Sequence, residues 1–292
     1  MAWKPSRIAD QTGRTFVVTG ANGGIGKHTT RQLAAHGATV VMACRNTETA
    51  QRVADGIQGD VRVERLDLAD LASIREFAGR MGEFDVLINN AGLMYIPFSR
   101  TKDGFEMQWG VNHLGHFALT GLLLDRIGDR VVTLSSIGHK QMPPTLHIDD
   151  LNYEHRRYVR GFAYAQSKLS NLMFARELQR RFEEKGSSKR SYAVHPGVSA
   201  TDLFARTETP LDYISKPMVA IVGHSPAKAA ESSLFAATEP DADPNVYWGP
   251  TWLFGSQGPV RPSPSSALSK DRELWRRLWA ESERLTGVTY QF

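Results

Sequence analysis

The strongest constraint on the fold lies near the start of the chain. Thr15-Phe16-Val17-Val18-Thr19, short, apolar and β-branched, runs into Gly20-Ala21-Asn22-Gly23-Gly24-Ile25-Gly26. Branched side chains favour a pleated backbone and glycines interrupt it. A helical pattern follows from Lys27 to about His36, where Gly37 stops it. Strand, glycine turn and helix, in that order, is the setting a phosphate-cradling loop requires. The glycines let the backbone turn tightly and approach a pyrophosphate, whose charge then rests at the positive end of the helix. A glycine-rich turn by itself is only a tight turn; its flanks are what favour the nucleotide.

The rest of the chain repeats the alternation. Residues 38–43 are continuously apolar, as in a parallel strand buried on both faces. Cys44 and Arg45 stand at its end, with no acid beside them. An acid there bonds the ribose 2′-hydroxyl of NAD, whereas an Arg accommodates a 2′-phosphate. Arg45 therefore favours NADP(H) over NAD(H); the alternative is an exposed Arg that touches nothing. Residues 47–58 read as a helix, and 61–66 alternate as a third strand leading to Asp67 and Leu68. Leu68, Leu71, Ile74, Phe77 and Met81 make one apolar helical stripe, read as core. Residues 84–88 form a fourth strand ending in Asn89-Asn90-Ala91-Gly92, small residues and amides at the carboxyl edge where open α/β sheets bind ligands.

Residues 104–127 are mostly helical, with Asn112 inside; 130–134 form a fifth strand ending in Ser135-Ser136. A long helix spans about 161–185, and 191–195 are a sixth strand closed by Pro196-Gly197. Beyond it the pattern loosens. Residues 199–224 read as a substrate flap and 225–238 as a helix started by Ser225-Pro226. Residues 239–292 are a C-terminal extension, rich in Pro, Gly and Ser to about 269, with Tyr247, Trp248 and Trp252 among them, and then an amphipathic helix through Leu274, Trp275, Leu278 and Leu285. With no repeat and no linker, residues 1–292 read as one α/β domain: a single Rossmann-type doubly wound parallel sheet with helices on both faces.

Composition narrows the function. Lys plus Arg exceed Asp plus Glu by 35 to 31, a formal +4, but the basic residues are scattered and no aromatic-basic stripe accompanies them. Nucleic acid is therefore not an expected partner. A single cysteine, Cys44, precludes a disulfide within the chain and fits a reducing cytoplasm. No run approaches the ~20 apolar residues of a membrane span, so no integral membrane segment is expected. The 161–185 helix is apolar on two faces: Leu169, Leu172 and Met173 on one, Phe174, Leu178 and Phe182 on the other. One face can pack on the sheet; the other calls for a second subunit, as homodimer or homotetramer, unless the C-terminal extension covers it and leaves a monomer.

Within that helix, Tyr164 and Lys168 lie one turn apart on one face. A nearby ammonium favours the phenolate, and a Tyr tuned this way can pass a proton near neutral pH. In isolation the pair also reads as a solvated surface pair.

The ordered set Thr19-Gly20, Gly24, Gly26, Asn89-Asn90-Ala91-Gly92, Ser136, Tyr164, Lys168 and Pro196-Gly197 resembles the short-chain dehydrogenase/reductase family. Within it, Ala43-Cys44-Arg45-Asn46, Val111-Asn112-His113-Leu114-Gly115-His116-Phe117 and Ala163-Tyr164-Ala165-Gln166-Ser167-Lys168-Leu169 resemble the retinol-dehydrogenase-type branch, including its bacterial members. The resemblance implies an oxidoreductase acting on a carbonyl or alcohol of a small molecule, with no metal. Tyr164 would be the acid/base, Lys168 would lower its pKa and hold the nicotinamide ribose, Ser136 would orient the substrate oxygen, and Asn112 would anchor a proton-relay water. Gly20, Asn22, Gly24, Ile25 and Gly26 would hold the pyrophosphate and its ribose, Arg45 the 2′-phosphate, and Asp67 and Leu68 the adenine. Asn90, Ala91 and Gly92 would line the cofactor channel, and Pro196, Gly197, Val198 and Thr201 the nicotinamide end. Gly23 replaces a Ser or Thr common in the family's turn and removes one contact. A nucleotide-binding sensor or scaffold without turnover, and an NAD(H)-preferring dehydrogenase, are the competing readings.

Overall fold

The computed structural model describes residues 2–142, 145–198 and 225–292. Eight strands form one sheet: β1 (Thr15–Thr19), β2 (Thr39–Cys44), β3 (Val61–Arg65), β4 (Phe84–Asn89), β5 (Ile127–Leu134), β6 (Arg190–Val194), β7 (Tyr247–Trp252) and β8 (Gln257–Pro262). Their order is β3-β2-β1-β4-β5-β6-β7-β8, parallel up to β7 and antiparallel only at β8. The chain winds outward from β1 to β3, then returns to place β4 on the other side of β1. Between β1 and β4 the carboxyl ends diverge and open a crevice, which is where such sheets bind ligands.

Two helical layers cover the sheet. On one face, α1 (Gly24–Ala35), α2 (Thr47–Ala54) and α8 (Glu231–Thr238), preceded by the single turn α7 (Pro226–Ala229), enclose Phe16, Val18, Leu33, Val40, Met42 and Leu234. On the other, α3 (Leu71–Arg80), α5 (Gly115–Leu123) and α6 (Arg160–Glu184) enclose Val17, Ile74, Phe77, Leu87, Phe117 and Leu178.

Two sequence expectations need correction. The stretch 104–127 is not one helix: a turn α4 (Met107–Trp109) passes into a π-helical turn, Gly110–Leu114, then α5, a 3₁₀ turn at Leu124–Arg126, and a strand that starts at Ile127. Residues 239–269, rich in Pro, Gly and Ser, contain β7 and β8. Pro and Gly hid them. Pro250 is tolerated because β7 pairs with β6 only at Tyr247 and Trp248, and Pro259 and Pro262 because β8 is an edge. Gly249 is demanded by packing, since a Cβ there would lie 2.2 Å from the His195 ring.

The second correction concerns α6. Its Leu172 and Ala175 pack on Ala193 and Tyr247 of the sheet, while a final helix, α9 (Arg272–Thr286), lies along its outside. Trp275 and Leu278 meet Leu169 and Met173, and Trp279 and Tyr290 meet Phe174 and Phe182. The apolar face that called for a second subunit is filled by the chain's own C-terminal extension.

Candidate active site

The crevice begins at the glycine turn. Gly20 (φ +64°) and Gly24 (φ +48°) adopt left-handed backbone, and a Cβ on Gly20 would stand 2.9 Å from the Ala91 backbone. A Cβ on Gly26 would lie 2.6 Å from Asn90 Nδ2 and from Gly20 O. The turn is thus packed directly on the segment after β4. Helix α1 starts at Gly24 with no side-chain cap and no acid in its first turn, so its leading N–H groups remain available to an anion. Gly23, the position without a hydroxyl, faces open space.

Thr19 closes this junction. Its hydroxyl accepts from the N–H groups of Asn90 and Ala91 at 2.9 Å each, and contacts His116 Nε2 at 2.9 Å. The Nδ1 of His116 faces the Asn112 carbonyl at 2.9 Å and so carries the ring proton. Nε2 is therefore the acceptor, and Thr19 donates to it. Burial keeps this ring neutral, with its pKa pushed down to about 4. Asn90 Nδ2 donates back to Thr19 O at 2.7 Å. The next residue pair, Asn89 and Thr120, joins β4 to α5 by an Nδ2–Oγ1 bond of 3.0 Å.

Asn112 sits in the π-helical turn and is fully buried, not solvated. Its amide clamps Leu93, accepting from the Leu93 N–H at 2.7 Å and donating to its carbonyl at 2.9 Å, and it also donates to Ser167 Oγ at 2.9 Å. One lone pair of Oδ1 is left over. A Cβ on Gly92 would touch both that oxygen (3.3 Å) and Lys168 Nζ (3.4 Å), so Gly92, Asn112 and Lys168 border one space.

Tyr164 and Lys168 lie near the start of α6 and both are buried. Tyr164 and Ser136 meet at Gly138, where an added Cβ would stand 3.3 Å from Ser136 Oγ; that hydroxyl accepts from Gly138 N–H at 3.0 Å. Gly138 has to be small: a Cβ there would stand 3.0 Å from the Tyr164 ring. Lys168 Nζ donates to Leu134 O at 3.1 Å and lies 6.0 Å from the Tyr164 ring centre. Helical spacing put these two groups on one face, but not in contact. Lys168 is pushed down to about 8 by burial, and Tyr164 is pushed up to about 12, burial outweighing the lowering influence of the nearby Ser136 hydroxyl. Burial is the largest influence on the phenol, since loss of water around a phenolate is costly.

The remaining candidates line the same sheet edge. Arg45 follows β2, is exposed, and makes no hydrogen bond or ion pair among the described residues. Asp67 follows β3 with one carboxylate oxygen on Ala69 N–H at 3.0 Å, and Leu68 beside it is buried. Pro196, Gly197 (φ +79°) and Val198 follow β6, with Val198 N–H donating to Ser256 O at 3.1 Å. Thr201 and the 199–224 flap lie outside the described residues.

Sequence reasoning missed several neighbours. Tyr95, at φ +57°, sets its ring edge-on to Tyr164, with centroids 5.4 Å apart. His116, His139 and His195 are buried behind the edge. None carries a local signature. Each matters through a partner tens of residues away.

An uncapped helix start at the switch point, glycines pressed on the facing loop, and a half-buried Ser136 beside buried Tyr164 and Lys168 one strand beyond that loop fit a dinucleotide and a substrate oxygen side by side. That arrangement defines a dinucleotide-dependent oxidoreductase. The family model for short chain dehydrogenase matches residues 14–147. Human retinol dehydrogenase 13 is 42% identical over 294 residues, covering 94% of this chain and 85% of the relative. A crystal structure of a Mycobacterium paratuberculosis protein is 42% identical, covers 100% of both chains and superposes with a TM-score of 0.87. A gluconate 5-dehydrogenase structure from Beutenbergia cavernae with bound NADP is 25% identical over 79% of this chain and 91% of that chain, with a TM-score of 0.57. The chain belongs to the short-chain dehydrogenase/reductase family, in its retinol-dehydrogenase-like part, and is an oxidoreductase acting on CH–OH groups.

Proposed function

We propose that the protein interconverts a carbonyl and an alcohol on an apolar small molecule of the retinol type, using NADP(H), with Tyr164 as acid/base. The observation that carries this is the convergence of the Ser136 hydroxyl and the Tyr164 ring at Gly138, with buried Lys168 one helical turn on, at the carboxyl edge of the sheet two strands from the glycine turn. The cofactor supplies or takes the hydride. Ser136 and Tyr164 hydrogen-bond the substrate oxygen, where negative charge grows during reduction. Tyr164 then gives its proton to that oxygen and is reprotonated through Lys168, whose ammonium lies beside Asn112 Oδ1 and the space in front of Gly92.

Burial holds the Tyr164 phenol up at about 12, above the range a base needs at neutral pH. Bringing Lys168 nearer, by giving it ribose hydroxyls in place of the Leu134 carbonyl, is the role proposed for the nicotinamide end. Arg45, exposed beyond β2 with no acid at that end, supports a 2′-phosphate and hence NADP(H). Tyr95 against Tyr164, with exposed Phe98 and Phe162 nearby in sequence, supports an apolar substrate, as do the names of the relatives. With α9 over α6, a monomer is the proposed state, and the cytoplasm the proposed location.

The test is a panel of aldehydes, ketones and alcohols, all-trans-retinal and nonanal among them, assayed with NADPH, NADH and their oxidised forms by nicotinamide absorbance. Turnover of apolar carbonyls with NADPH above NADH supports the reading. Tight NADPH binding with no turnover across the panel would replace it with a sensor.

A further inference from the structure

Three basic side chains that flank the site all reach the same short stretch of the C-terminal extension, residues 263–269. His195 follows β6, just ahead of Pro196-Gly197. Its Nδ1 accepts from Gly197 N–H at 3.3 Å, so its proton sits on Nε2, which meets Ser263 Oγ at 2.8 Å. His139, fully buried, has Nδ1 on Ser136 O at 2.6 Å, and its Nε2 accepts from Ser266 N–H at 3.1 Å. Its proton is therefore on Nδ1, the opposite tautomer. Arg176, on α6 two turns beyond Lys168, donates to Ser265 Oγ at 2.9 Å, to Ser269 O at 2.6 Å and to Ser269 Oγ at 2.9 Å.

Both imidazoles also close on one ring, Tyr247 of β7. His139 meets it edge-on with centroids 5.6 Å apart, and His195 lies tilted at 5.0 Å. Ser263 N–H donates to Tyr247 O at 2.7 Å, and Trp275 of α9 donates its indole N–H to Ser269 O at 2.9 Å. The stretch is thus held at both ends and grips three different elements that carry the proposed site: the backbone of Ser136, the Pro196-Gly197 turn, and helix α6.

We propose that residues 263–269 act as a strap that sets the site, with His139 and His195 as its positioning residues: His139 fixes the serine that orients the substrate oxygen, and His195 fixes the turn that meets the nicotinamide. This rests on the reading given under Proposed function. The serine-rich composition then has a reason, since short hydroxyl side chains and free backbone N–H groups are what two imidazoles of opposite tautomer and one guanidinium can share.

The two struts should fail differently. His139→Phe keeps the ring volume and removes both hydrogen bonds. It should lower kcat for reduction of all-trans-retinal or nonanal by ~10- to ~100-fold while KM for NADPH stays put, the size expected when a reacting group is misplaced. His139→Asn, whose amide reaches the place of Nδ1, should restore most of kcat by again donating to Ser136 O. Ser263→Ala should do the reverse, raising KM for NADPH with kcat preserved. Unchanged kcat in His139→Phe, an Asn variant as poor as the Phe variant, or losses in all three that follow the folded fraction by circular dichroism would overturn the strap. Histidine ¹⁵N NMR of the wild type reads it without turnover: His139 must be protonated on Nδ1 and His195 on Nε2, and the opposite pairing contradicts it. A wild type that turns over neither probe, yet shows this pairing, would count against the proposed reaction and not against the strap.

Discussion

The two halves of the sheet's carboxyl edge are built on different principles. From β1 to β3 the edge is made of backbone: a turn of glycines, an uncapped helix start, and an exposed Arg45. From β5 to β7 it is made of side chains, half-buried Ser136 with buried Tyr164 and Lys168, the last two set against residues distant in sequence, Tyr95 and Leu134. The first half has to meet a charged group whose shape is fixed, and backbone N–H groups suffice. The second has to hold reactive atoms within a fraction of an ångström, which takes support from the side. Binding and chemistry should therefore separate cleanly under substitution.

Gly26→Val is the harshest way to break the comparison. The new side chain would enter the space held by Asn90 Nδ2 and Gly20 O at 2.6 Å. NADPH binding by fluorescence titration should vanish, whereas a folded variant that still binds would show that the turn does not carry the pyrophosphate. Ser136→Ala acts on the other half. It should cost ~10²–10³ in kcat, the usual price of one donor to a developing oxyanion, and leave NADPH affinity alone. Equal loss of both would merge the two halves into one.

Arg45→Ala sharpens the first half. Losing a charged hydrogen bond to phosphate, about 1.5–3 kcal/mol, should weaken NADPH by roughly 10- to 100-fold and NADH hardly at all. An unchanged preference would assign the cofactor to NAD(H).

The smallest effect concerns stability. His113, His116 and His139 are buried neutral, pushed by burial down to about 3, 4 and 4 from a value of 6.5. Their folded pKa values are depressed, so the stability they permit is complete above pH 6.5, where the unfolded chain is also neutral, and drains away as pH falls toward the folded values. Each adds a slope of about 1.4 kcal/mol per pH unit in that window. Acid unfolding by circular dichroism should be steep below pH 6.5, and His113→Gln should flatten it. A flat profile down to pH 4 would mean that these rings are not sealed.

The same contrast explains what the sequence made legible. The glycine turn, the fourth strand with its Asn-Asn-Ala-Gly end, and the Tyr164–Lys168 spacing are local patterns, and each lies where the pattern places it. The parallel sheet follows from alternation alone. What the sequence concealed depends on distance. Asn112 carries no local signal of the contacts it makes, because its partners, Leu93 and Ser167, lie 19 and 55 positions away. β7 was hidden by Gly249 and Pro250, residues that a strand tolerates only because of what lies beside them. The partner for the second apolar face of α6 is supplied by α9, which no local pattern of α6 reveals. For Tyr164 and Lys168, spacing tells which face a group is on, and burial bears on which charge state it keeps.

The central claim is that one phenol passes the proton while other groups hold the cofactor. Tyr164→Phe tests it most directly, with NADPH affinity and steady-state carbonyl reduction measured on the same preparation. The account predicts a fall in kcat of ~10²–10⁴ with NADPH binding intact. Turnover at the wild-type rate, or binding and turnover lost together, would contradict it.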